Sequence, residues 1–200
     1  MKKKDLSIIF NVLIIIFEFL GIYLTIKSNG KVNFVYYTED SNILCLLSSS
    51  LFILFIAFNK KIPKWLSILK YISTIGLVIT FLTVLFILMP LYGFNYHFLL
   101  LDGSLFYHHL ICPILAFVTF VFFDDLKLFD FKDTFIGLTF TIVYAIILIT
   151  LNILNKVSGP YPFLKVSDQS ITTSIVWFIV LISLSYIISY VLSILHNKNR

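Results

Sequence analysis

Apolar residues fall in six blocks along the chain, at about residues 6–26, 41–58, 65–89, 105–123, 134–154 and 171–195, separated by short polar connections. An α-helix rising about 1.5 Å per residue needs about 20 residues to cross about 30 Å of hydrocarbon, and every block comes close to that length. The pattern predicts an all-α polytopic membrane protein, a single six-helix bundle over residues 1–200, whose short connections make successive helices antiparallel neighbours. "MKKK" in front of the first block looks like the flank of a signal peptide. No small-residue cleavage site follows before Lys27, so the block is read as a retained span.

Polar and small residues recur at helical spacing inside the blocks. Asn11, Glu18 and Thr25 stand in the first, and Thr38, Asn42, Cys45 and Ser49 mark the second. Ser73, Gly76, Thr80 and Thr83 follow in the third, and Ser104, His108, Cys112 and Thr119 in the fourth. The fifth has Gly137, Thr141, Tyr144 and Asn152, the sixth Ser185, Ser189 and Ser193. Such spacings place each set on one helix face. Lipid cannot satisfy their hydrogen bonds, so the faces turn inward and line a polar seam. The serines of the sixth block also suit close helix packing alone. Glu18 is the costliest residue, since a carboxylate near mid-span costs about 2.5–3.5 kcal/mol on insertion scales. It reads either as a functional group or as a protonated acid donating to a neighbouring helix.

Composition excludes a soluble domain. The chain is 60% hydrophobic and 12% charged, with mean hydropathy +1.00, against about 25% charged residues in soluble proteins. The net charge of +5 raises the question of a nucleic-acid partner, and the placement of the charges answers it. Lys2, Lys3, Lys4, Lys60, Lys61, Lys64, Lys127, Lys132, Lys198 and Arg200 fall on one side of the predicted spans. Lys27, Lys31, Lys156 and Lys165 fall on the other. This is the positive-inside asymmetry: both termini are expected in the cytoplasm, and the basic excess reports orientation, with no nucleic acid implied. Cys45 and Cys112 lie inside spans and read as packing thiols; no metal-ligand spacing is present, and no metal or cofactor is expected.

In that orientation, the three stretches richest in reactive side chains all enter the membrane from outside. They are "YYTEDSNIL" at 36–44, "DGSLFYHHLICP" at 102–113 and "GPYPFLKVSDQS" at 159–170. Helix starts there also present unpaired N–H groups and a positive dipole end. Thr38, followed by Glu39 and Asp40, suits a helix cap with acids in the first turn. It equally suits a nucleophile, provided a base lies within hydrogen-bond reach. The candidates are His108 and His109, which point about 100° apart on a regular helix, so that only one faces the seam. The stripe through Ser104, Cys112 and Thr119 selects His108. Pro113 is expected to kink this helix. "FFDDLKLFDFKD" on the cytoplasmic side reads as a solvated interfacial turn.

A threonine at the start of the second span, a histidine shortly before a proline in the fourth, and "G-x-YPFL" before the sixth resemble the androgen-induced protein/ADTRP family, and most closely its bacterial relatives. The resemblance implies a six-span membrane hydrolase that cleaves esters of hydroxy fatty acids, without cofactor, using a threonine nucleophile and a histidine. Carried onto this chain, Thr38 would be the nucleophile and His108 or His109 the base. Tyr161, Pro162 and Phe163 would line the start of the sixth helix. Glu39 and Asp40 depart from the animal members and, with Asn42 and Glu18, complete the expected substrate-binding set. A multi-pass protein of a bacterial inner membrane follows, with a lipid substrate, its acyl tails running into the apolar lower part of the bundle. Two alternatives stand beside it. One is a lipid acyltransferase using the same residues. The other is a non-enzymatic lipid- or ion-binding protein centred on Glu18, whose sign would be a polar path continuing to the cytoplasmic face.

Overall fold

The computed structural model describes residues 2–200. Six helices in it are long and apolar enough to cross a membrane: α1 (Lys3–Asn29), α2 (Tyr37–Ala57), α3 (Lys64–Leu91), α4 (Phe106–Phe123), α5 (Phe131–Ile153) and α6 (Ile171–Asn199). No strand occurs among the described residues. This is the six-helix bundle of a multi-pass membrane protein. The boundaries agree with the hydropathy blocks to within a few residues, with one consequential shift. α2 begins at Tyr37, before the apolar run itself, so Thr38 lies inside the first helical turn.

Both chain ends meet at one end of the bundle, where Lys3 Nζ donates to Asn199 O at 2.9 Å; the lysine distribution predicts that this end, hereafter the cytoplasmic end, faces the cytoplasm. α3 is the hub: 56% of its most apolar stretch is buried, against 22% for α6. Apolar burial alone does not drive helices together in lipid, so small residues and interhelical hydrogen bonds must hold the bundle. Gly76 lets α3 approach Ser41 and Phe140. Gly137 lets α5 approach Ser189 and Ile75 so closely that any Cβ there would overlap them. Tyr71 Oη donates to Ser189 O at 2.6 Å, and Ser189 Oγ donates to Thr134 O at 2.8 Å. The serine stripe of α6 therefore bonds as well as packs.

The cytoplasmic turn departs from the solvated connection expected of it. Asp124 and Asp133 are 1% and 2% exposed. Asp133 pairs with Lys127 and closes a capping box with Asp130 at the start of α5. The Asp133 and Lys132 backbone N–H groups hold the exposed Asp130 carboxyl below the usual aspartate range. Asp124 reaches back into the bundle. Its Oδ2 lies 3.4 Å from Lys70 Nζ, and its Oδ1 accepts from Ser7 at 2.6 Å and Asn11 at 2.8 Å. A buried charge needs such partners, and Lys70, in the interior of α3, has them.

α3 and α4 widen to π-helical pairing at Val84–Leu88 and Phe106–Ile111, just ahead of Pro90 and Pro113. In α4 the Cys112 N–H bonds to Tyr107 O, five residues back. The next bond of that pattern would join residue 113 to His108 O, and proline has no N–H to give. Asn42 Nδ2 takes its place, donating to His108 O at 3.3 Å.

Candidate active site

The first turn of α2 is fixed by groups outside it. Asn33 tightens the approach, accepting from Val35 N through its side chain at 3.2 Å and from Tyr36 N through its carbonyl at 3.1 Å. Tyr144 of α5 then pins the helix start: its hydroxyl donates to Val35 O at 2.8 Å and accepts from Tyr37 N at 3.1 Å. The N-cap is Tyr36, and it makes no side-chain cap bond. Thr38 is thus not a cap. Its hydroxyl, in a residue 8% exposed, lies 3.3 Å from His109 Nε2 and 3.4 Å from Tyr161 Oη.

His109 is oriented from its other side. Nδ1 lies 2.7 Å from Leu99 O. A carbonyl only accepts, so Nδ1 carries the proton and Nε2 turns a lone pair toward Thr38. The hydroxyl, the imidazole and the group that fixes its tautomer form the arrangement of an activated nucleophile. Leu99 belongs to a short π-helical turn, His97–Leu101, that folds over the outer end of the bundle. Nothing in the sequence marks a leucine carbonyl as part of a site.

The stripe argument chose His108, and here the geometry corrects it. The π-helical stretch carries more residues per turn than 3.6, so the face extrapolated from Cys112 and Thr119 is rotated by the time it reaches the histidines. Both rings are consequently buried, at 0% and 6% exposure, and face different partners. His109 faces Thr38. His108 faces α1, pressed on Gly21 where any Cβ would overlap the ring, with Glu18 Oε2 3.9 Å from Nε2 and Glu39 Oε1 3.8 Å from Nδ1.

Other expected site residues divide likewise. A cavity of about 420 Å³ opens beside Thr38, walled by α3, α5, α6 and the 161–166 connection, and Tyr161 and Phe163 line it. Its volume falls in the range of small-molecule pockets. Phe163 stacks on Tyr161 with ring centroids 5.2 Å apart. Burial pushes the Tyr161 phenol up to about 12, against hydrogen bonds to the Thr38 side chain and backbone, so it stays a protonated donor. Glu39, Asp40, Asn42, Glu18 and Pro162 do not line the cavity. Glu39 turns toward Thr25 and His108, and Pro162 is exposed. Asn42 spends its amide protons on two carbonyls, Thr38 O at 2.7 Å and His108 O. It ties α2 to α4 and has no donor left aimed at the cavity.

The cavity beside Thr38 runs from Ile79, Leu181 and Ile182 past Val84, Leu88, Ile149 and Ile153. The other half of the bundle holds the Lys70–Asp124 network and the stacked rings of Tyr71, Phe120 and Phe129, and a second apolar cavity of about 420 Å³ lies between α3, α4 and α6, against Phe81, Phe117 and Ile188. His97 is exposed in its turn, and His196, at the far end, bonds to Phe120 O at 2.8 Å. No group of three or more His, Cys, Asp or Glu residues placed to hold a metal ion occurs among the described residues. Comparison with known proteins gives no match to a family model, a curated protein or a solved structure.

Proposed function

We propose that the protein is a membrane-embedded lipid ester hydrolase with Thr38 as nucleophile and His109 as general base. The observation that carries this reading is the 3.3 Å approach of Thr38 Oγ1 to the unprotonated Nε2 of His109 at the wall of an apolar cavity. Thr38 Oγ1 attacks the ester carbonyl while Nε2 takes its proton. Tyr161 Oη–H and the Thr38 N–H, a first-turn donor without an intrahelical acceptor, stabilise the oxyanion. The imidazolium returns its proton to the departing alcohol oxygen. Water then enters, gives a proton to Nε2 and attacks the acyl-threonine, releasing a carboxylic acid and restoring the hydroxyl.

An acyl chain has one apolar berth beside this carbonyl, the cavity reaching Leu88 and Ile153, which supports a lipid drawn from the outer leaflet. The resemblance of the Thr38, His-Pro and Tyr161 segments to the androgen-induced protein/ADTRP family supports the same chemistry, in a bacterial inner membrane. An acyltransferase would use these residues unchanged, with an alcohol replacing water in the second step. Lipid products made with and without added alcohol separate the two.

Thr38→Ala should abolish covalent labelling of the detergent-solubilised protein by a fluorophosphonate probe while its elution on size exclusion stays unchanged. Labelling that persists in a folded Thr38→Ala protein removes the nucleophile.

A further inference from the structure

The connection between α3 and α4 is built unlike the other two at its end of the bundle. Residues 91–101 contain no Asp, Glu, Lys or Arg, whereas the α1–α2 connection carries Lys31 and the α5–α6 connection carries Lys156, Lys165 and Asp168. Leu91, Tyr92, Phe94, Tyr96, Phe98 and Leu101 of this stretch are each 44–67% exposed. A protein surface in water rarely leaves so continuous an apolar strip uncovered. The length of α3 sets the strip's height. Its 28 residues extend about 42 Å at about 1.5 Å each, against about 30 Å of hydrocarbon and about 40–45 Å with both headgroup layers. The end of α3 thus reaches the headgroup layer, and its exposed side, at Phe86 and Leu91, continues directly into the strip.

The turn that follows is tight and locally held. Gly93 and Phe94 both have positive φ, 63° and 58°, and the chain doubles back after α3. A bulky aromatic residue in the left-handed region is strained, and the ring it positions here is among the most exposed of the chain. Phe94 N–H donates to Met89 O at 2.8 Å, and the Asn95 side chain accepts from Phe98 N at 3.1 Å. The Tyr92 and Phe98 rings stand 6.4 Å apart. Among the described residues, one hydrogen bond joins residues 91–101 to a helix other than α3, and it is the bond from His109 Nδ1 to Leu99 O. Leu99 is also the one buried residue of the stretch, its side chain packed in the core. The exposed rings and the carbonyl that orients His109 therefore belong to a single short turn.

We propose that residues 91–101 are a docking surface for the lipid interface of the outer leaflet, and that seating there holds Leu99 O against His109. Tyrosine and phenylalanine without charged neighbours are the composition of a membrane-interface belt, with phenols at the headgroups and rings against the acyl chains. Continuity with the lipid-facing side of α3 points to the same occupant. In water the exposed rings would collapse onto whatever apolar surface they could reach, and the Leu99 carbonyl would move with them. At the interface each ring is buried where it stands, so the turn stays over α4 and His109 keeps its proton on Nδ1. Lipid contact thereby sets the tautomer that turns a lone pair to Thr38. Its consequence for catalysis rests on the hydrolase reading, while the seating and the tautomer do not.

The test reconstitutes the full-length chain in phosphatidylcholine–phosphatidylglycerol vesicles. In a Trp65→Phe/Trp177→Phe background, Phe98→Trp or Tyr96→Trp supplies a single fluorophore. Lipids brominated high on the acyl chain should quench it several-fold more than lipids brominated near the terminal methyl, and aqueous acrylamide should quench it weakly. Emission insensitive to brominated lipid overturns the docking surface, whether water reaches the tryptophan or a second copy of the chain shields it. Magic-angle-spinning NMR of nitrogen-labelled histidine, assigned by the signal lost in His109→Gln, should show His109 protonated at Nδ1. Phe94→Asp/Phe98→Asp should lose that single tautomer and react several-fold more slowly with the fluorophosphonate. Phe94→Trp/Phe98→Trp, which keeps interfacial rings, should preserve both. Should the aspartates prevent folding, Phe94→Ser/Phe98→Ser takes their place. An unchanged His109 tautomer in the folded polar variant overturns the coupling. Wild-type protein whose Thr38 takes no label removes the hydrolase reading alone, because fluorescence and tautomer are read without it.

Discussion

Replacing His109, and separately His108, tests which imidazole activates Thr38. His109 Nε2 stands 3.3 Å from the hydroxyl and its Nδ1 is anchored on Leu99 O, while His108 faces Glu18 and Glu39 on the α1 side. A positioned general base contributes about 10²- to 10⁴-fold, or about 2.7–5.4 kcal/mol at about 1.36 kcal/mol per decade. His109→Gln should therefore lower the second-order rate of fluorophosphonate labelling by about 10²- to 10⁴-fold. Its side-chain amide is still able to donate to Leu99 O but is too weak a base to take the Thr38 proton. His108→Gln should change the labelling rate less than about tenfold, because its ring makes no contact with the hydroxyl. The assay is in-gel fluorescence against time at several probe concentrations, with a thermal unfolding scan of each variant in the same detergent. Equal losses in the two folded variants, or a His109→Gln rate within tenfold of wild type, would refute the assignment. A reversed order would return the role to His108, as a regular helix requires.

Tyr161→Phe removes one oxyanion donor and should slow labelling about 10²- to 10³-fold without releasing the Thr38–His109 contact. With its phenol pushed up to about 12, Tyr161 remains protonated as pH rises past the ordinary tyrosine value. The stability tied to its neutral form is present below the unfolded value of about 10 and is lost as pH climbs through about 12. Wild-type labelling should thus show no Tyr161-dependent decline below about pH 11, and a decline near 10 that disappears in Tyr161→Phe would contradict this. At the cytoplasmic end, Lys70→Met leaves the Asp124 carboxylate buried without its cation, at a cost of about 3–5 kcal/mol. Adding Asp124→Leu should recover most of that loss in denaturant unfolding of the detergent-solubilised protein, whereas a single variant costing under about 1 kcal/mol would mean the pair is not buried as described.

The sequence by itself determined the number of crossings, their approximate limits and the inward direction of the polar faces. Each of these follows from transfer free energy and helical period, which are local properties: Glu18, Thr38 and Ser189 had to leave lipid whatever their partners were. It also placed Thr38, the histidine pair and Tyr161 at one end, because spans alternate in direction. Only the tertiary structure decided which groups meet. His109 took the place next to Thr38 because Pro113 is preceded by π-helical pairing that shifts the face of α4, and a 3.6-residue stripe cannot anticipate that change of phase. The Leu99 carbonyl, the bridging amide of Asn42 and the ion pair of Lys70 with Asp124 depend on contacts between residues far apart in the chain. No local pattern encodes such distances; they arise when six helices settle against one another at the depth their small and polar residues allow.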